Sequence, residues 1–120
     1  MDAIVEKKSF RFAVRIVKLC SYLQKEKKEY TLSKQLLRSG TSVGANITES
    51  QQAQSRLDFI NKLSIALKEA SESNYWIRLL YATEYLSKEE YTSIINDCKE
   101  LEKMLSSIII TTKGQLGDDR

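Results

Sequence analysis

The chain has no proline, no histidine and only four glycines in 120 residues. Proline and glycine punctuate turns, and strand-rich folds need many turns, so their scarcity points to long, uninterrupted helices. Without histidine there is no general base near neutral pH of the ordinary kind, and the Glu-x-x-His motif of ferritin-like metal sites cannot be formed. Serines near Ser39 and Ser42 have no evident base beside them, so no hydrolytic triad can be assembled. The expectation is a protein that is not an enzyme and that carries no metal or other cofactor.

Cysteine is scarce too. Cys20 and Cys98 stand alone, without CxxC spacing, and each falls on an apolar helical stripe, which predicts two buried, reduced thiols. No apolar run approaches the roughly 18 residues of a membrane span, and MDAIVEKKSF does not read as a secretory leader. A soluble cytoplasmic chain is expected, with no membrane partner. The net charge of +3 is too mild to name a partner by itself.

What the chain has in abundance is helical periodicity. Phe12, Ala13, Ile16, Val17, Leu19, Cys20 and Leu23 give residues 7–28 a wide apolar face. Residues 32–54 carry the stripe Leu36, Gly40, Val43 and Ile47, with Thr31 expected as the N-cap. Ser55 with Asp58 opens a third helix over 56–85, built on Phe59, Ile60, Leu63, Leu67, Ala70, Ile77, Leu80 and Tyr81. Ser87 with Glu90 forms a capping box for a fourth helix over 88–111, which carries Tyr91, Ile94, Ile95, Cys98, Leu101, Leu105 and Ile108. Four amphipathic helices with short links predict an all-α, antiparallel up-down-up-down four-helix bundle over residues 1–112. The closing KGQLGDDR lacks periodicity, so 113–120 is expected to be a flexible tail.

Three sets of residues stand out as candidates for function. Gly40 and Gly44 lie one helical turn apart amid small neighbours, and each costs about 1 kcal/mol against alanine in a helix. They miss the spacing of a phosphate loop, so they predict close approach of another backbone, with the small and polar centre of the third helix, ALKEASESNYW, as its expected source. A second set, Gln35, Arg38, Ser39, Ser42, Asn46 and Glu49, forms a polar face along the same helix. It reads either as a network closed by Glu69, in the core or at an interface, or as a ligand site.

The third set is a file on the first helix: Lys8, Arg11, Arg15, Lys18, Tyr22 and Lys25. Between Lys7 and Lys28 basic residues outnumber the acidic Glu26 eight to one. Such a file can neutralise phosphates, with Tyr22 as a stacking face, or it can be no more than a solvated surface. The fourth helix is comparatively acidic, which predicts a polarised exterior.

The run QLLRSGTSVGANITES, continued in DFINKLSIALKEASESNYW, resembles the bacterial four-helix-bundle proteins encoded in intervening sequences of 23S ribosomal RNA genes. The likeness spans about Phe10 to Leu105 and places the characteristic family residues on Gln35, Arg38, Ser42, Asn46, Glu49 and Glu69. Gly44 stands where many members have proline, and Ser50 where many have glycine. The resemblance implies a non-enzymatic homopentamer. It extends to accessory proteins of diversity-generating retroelements, which implies RNA or DNA and a reverse transcriptase as partners. Read from the residues, two functions stay open: electrostatic nucleic-acid binding by an oligomer, and a protein-interaction scaffold that uses the apolar excess of the first and third helices.

Overall fold

The computed structural model describes residues 3–118, and these form four helices with no strand among them. They are α1 (Ala3–Lys25), α2 (Thr31–Ser50), α3 (Arg56–Ala82) and α4 (Lys88–Asp118). Each packs against its neighbours in sequence, and α1 closes on α4, while the backbones of the diagonal pairs stay apart among the described residues. Cross-helix contacts fix the directions. Lys8 meets Glu100 and Arg15 meets Asp97; Arg38 meets Glu69 and Glu49 meets Lys62; Asn74 meets Glu102 and Arg56 meets Gln115. In every pair a rising number meets a falling one, so adjacent helices run antiparallel in a rod of 53 × 22 × 21 Å.

The core is the set of stripes read from the periodicity. Phe12, Ile16, Leu23, Leu36, Val43, Ile47, Leu63, Ile77, Leu80, Leu101 and Leu105 are almost wholly removed from water. At roughly 1.5–3 kcal/mol for each large apolar side chain, this burial dominates folding. Two expected members of the stripes stand outside it: Val17 is 49% exposed, and Tyr81 lies on the surface stacked on Tyr91 at 4.1 Å.

The helix ends differ from the expected ones for identifiable reasons. α1 begins at Ala3, early enough to bury Val5, and stops at Lys25 because Lys28 is left-handed (φ 56°) and Glu29 N donates to Leu23 O. Thr31 is not the N-cap of α2. The Glu29 carboxylate takes that role, accepting from the backbone N–H groups of Thr31, Leu32 and Ser33 at 3.2, 3.0 and 2.7 Å. α2 passes unbroken through Gly44 and ends at Ser50, with Gln51 at φ −65°, so this turn needs no glycine. α3 ends at Ala82, short of residue 85, where Glu84 turns left-handed (φ 69°). The caps at Ser55 and Ser87 form as expected: Ser55 Oγ accepts from Asp58 N, and Ser87 and Glu90 exchange hydrogen bonds.

The expected tail is largely helix. α4 continues through Gly114 and Gly117 to Asp118, because Thr112 is buried, Leu116 packs on the core and Gln115 O accepts from Arg56. The rest of that expected tail, residues 119–120, lies outside the described residues.

Candidate nucleic-acid interface

Gly40 and Gly44 do face a close neighbour, but it is α1 and not the small centre of α3. A β-carbon at Gly40 would fall on Ile16, and one at Gly44 would reach Ser9 O at 3.4 Å. The two glycines flank the buried stripe of α2 on the side opposite Ser39, and it is Ser39 that meets α3, through Ser73 Oγ at 2.8 Å. One helix thus approaches two neighbours with different chemistry: bare backbone toward α1, hydroxyls toward α3.

The polar face of α2 lies beside α3 and is mostly wet. Arg38 spans Glu69 Oε2 (2.9 Å) and Glu72, and Trp76 Nε1 donates to Glu72 at 3.0 Å. The hydrogen bond from Trp76, then that from Arg38, holds the Glu72 carboxyl below its usual range, while Glu72 and Glu69 hold the Arg38 guanidinium more firmly protonated. Asn46 donates to Ser42 O and Ser42 to Arg38 O, both within α2. Glu49 faces Lys62 at 3.6 Å, and Gln35 is exposed. Of the set, Arg38 and Glu69 are joined side chain to side chain, with Glu72 and Trp76 as members that the spacing did not single out, while Ser42 and Asn46 bond to backbone carbonyls of their own helix.

The basic file of α1 is divided by its surroundings. Lys8 Nζ lies 2.9 Å from Glu100 Oε1. Arg15 binds Asp97 and also Ser93, whose Oγ it reaches at 2.8 Å. Positive α1 and acidic α4 therefore sit side by side, and at two points of their seam the charges expected to polarise the exterior neutralise each other. Arg11, Lys18 and Lys25 are exposed and make no ion pair among the described residues, and Tyr22 is 38% exposed next to them.

Beside these free cations runs an apolar strip. Phe10, Val14 and Val17 follow helical spacing on the outside of α1 and are 72%, 38% and 49% exposed. Phe10 also borders a groove of about 260 Å³ between α1 and α2, with Ala13, Gly44 and Ala45 in its lining. Periodicity placed Val17 in the core because an apolar face wider than one seam can serve either the interior or a second surface.

The nucleophile inventory is poor. Cys20 and Cys98 are free and buried. Burial, then the Glu29 charge, pushes the Cys20 thiol from 9.0 to about 12, and burial followed by Glu102 drives Cys98 well above its ordinary value. Each donates to a backbone carbonyl, Cys20 to Ser33 O and Cys98 to Ala70 O, so both behave as packed apolar groups. Among the described residues, no cluster of three or more His, Cys, Asp or Glu side chains could hold a metal ion, and no helix is long and apolar enough to cross a membrane.

The chain is similar to a crystal structure from Bacteroides thetaiotaomicron, described as a protein of unknown function from the S23 ribosomal protein family. The two are 62% identical, the match covers 88% of this chain and 97% of that one, and the TM-score is 0.87. No curated protein matches the chain. The family model described as 23S rRNA-intervening sequence protein matches residues 1–107, the four-helix core together with all three residue sets on α1 and α2. The chain belongs to the 23S rRNA-intervening sequence protein family.

Proposed function

We propose that this chain is a non-catalytic cytoplasmic bundle that assembles with copies of itself, as a pentamer in line with the resemblance, and binds RNA or DNA through phosphate contacts without reading bases. The observation that supports this is the outer face of α1, where the exposed strip Phe10, Val14 and Val17 runs alongside Arg11, Lys18 and Lys25, cations that make no ion pair among the described residues. Apolar side chains exposed in a row at helical spacing have no role in a lone soluble bundle and suit contact with another protein surface. Cations beside them gain by assembly, since a ring repeats each weak phosphate contact and converts it into avidity. Tyr22 offers a ring for stacking at the edge of the same file. Membership of a family named for ribosomal RNA gene insertions fits nucleic acid as partner.

The test is an electrophoretic mobility shift with structured RNA at two salt concentrations, beside light scattering of the free protein. A salt-sensitive shift by an oligomer is expected. Absence of any shift at low salt would remove the nucleic-acid reading. The same apolar strip favours a second reading, a scaffold for a different protein such as a reverse transcriptase. A stable partner that co-purifies after nuclease treatment would select it.

A further inference from the structure

We infer that α4 supplies built-in counter-ions to the basic file of α1, so that Asp97 and Glu100 set how tightly this surface binds a phosphate chain. This rests on the nucleic-acid reading above and deepens it. Lys8 is held by Glu100 at 2.9 Å, and Arg15 by Asp97 and Ser93. The four side chains involved are 36–49% exposed, so the pairs lie at the surface and are open to competition. Exposed ion pairs contribute little to stability, because solvent screens them and holding two long side chains costs entropy. Their consequence lies elsewhere: each carboxylate occupies a cation that a phosphate would otherwise neutralise, and each adds a negative charge on the rim of the path a phosphate chain would take. Asp97 and Glu100 are three residues apart on α4 and so present one face to Lys8 and Arg15 across the α1/α4 seam. Arg11, on the same side of α1, lines a small cavity of about 60 Å³ with Lys8, Asp97, Glu100 and Leu101, so removing the acids alters the field at three cations at once. Wild-type affinity is accordingly held below what the sequence charge of α1 suggests.

The experiment measures anisotropy of a fluorescently labelled RNA hairpin with the full-length wild type and the isosteric double variant Asp97→Asn/Glu100→Gln, between about 50 and about 200 mM salt. A control, Glu49→Gln/Glu84→Gln, makes the same change in net charge at exposed positions, Glu49 beside Lys62 of α3 and Glu84 in the turn before α4. The freed variant is expected to bind roughly tenfold more tightly at low salt, with a logarithmic salt slope steeper by about 1.4–1.8, the release expected for two further phosphate contacts in loop or stem. The control gains much less. Arg15→Gln should cost more affinity in the freed background than in the wild type, because only there is Arg15 available to phosphate. Equal gains in both double variants would assign the effect to net charge and overturn the inference. Wild-type binding without any gain in the freed variant would overturn it too and leave the nucleic-acid reading standing. No binding by either protein at low salt would overturn both.

Discussion

A β-carbon on Gly40 would lie 2.8 Å from Ile16 Cγ2 and 2.9 Å from Ile16 Cγ1, so α1 occupies the space that a side chain on α2 would need. Ile16 is β-branched and fully buried, and its branch atoms cannot swing aside. Gly40→Ala therefore gains about 1 kcal/mol of helix propensity but, with two Ile16 atoms closer than 3.0 Å, suffers overpacking of about 2–3 kcal/mol, for an expected net loss of about 1–2 kcal/mol. Gly44→Ala meets only ordinary contact at 3.4 Å and is expected to be neutral or stabilising by up to about 1 kcal/mol. The urea midpoint of Gly40→Ala should fall while that of Gly44→Ala holds or rises, and a Gly40→Ala midpoint equal to wild type would remove this account of the glycine.

Glu29 is the second position where a single side chain decides a helix. Its carboxylate satisfies three backbone N–H groups at the start of α2, where no intrahelical acceptor exists. Glu29→Ala should cost about 1–2 kcal/mol, while Thr31→Ala, whose side chain caps nothing, should fall within about 0.5 kcal/mol of wild type. Denaturant titrations that rank the two variants the other way would restore Thr31 as the cap.

These two cases mark how far the sequence could be read. Local signals were legible: the stripe of Leu36, Val43 and Ile47, and the caps at Ser55 and Ser87, depend on residues within a turn or two of one another. What could not be read depends on which helices become neighbours. The run KGQLGDDR shows no periodicity, yet tertiary packing of Leu116 and the Arg56 contact to Gln115 carry α4 as far as Asp118. Lys8 and Arg15 read as a free basic file until Asp97 and Glu100, far along the chain, are brought beside them. Their spacing on an acidic helix was the available signal. Its meaning needed the closure of α1 on α4.

The buried thiols predict a pH dependence. Cys20 has its folded-state value raised from 9.0 to about 12, chiefly by burial, and Cys98 is raised further. A raised folded value means that the unfolded chain ionises first. Stability from these groups is complete below about pH 9 and is lost as pH rises toward the folded values, at about 1.4 kcal/mol per pH unit for each thiol. A Cys20→Ala/Cys98→Ala variant, though less stable at neutral pH through lost packing, should show a flatter decline between pH 9.0 and about 11. The native protein should also resist thiol-directed reagents at neutral pH until it unfolds. Rapid labelling of either cysteine under native conditions would contradict the burial that both effects require.

The proposed self-assembly puts a second copy on the outer strip of α1, and substitutions there test it. Phe10 and Val17 are 72% and 49% exposed, so replacing them removes little from the bundle core, and glutamate is a good helix former. Phe10→Glu/Val17→Glu should therefore keep the helical signal and the unfolding midpoint of an isolated bundle. If the strip is covered by another copy, the substitution withdraws two buried apolar groups and places charges in the contact. Each such group is worth roughly 1.5–3 kcal/mol, so association should weaken by at least about a hundredfold. Light scattering at tens of micromolar should give a multiple of 13.8 kDa for the wild type and the single-chain mass for the variant. A wild type that is itself a monomer would leave the strip without a second copy to cover it, and a variant that still assembles would move the interface to another face of the bundle.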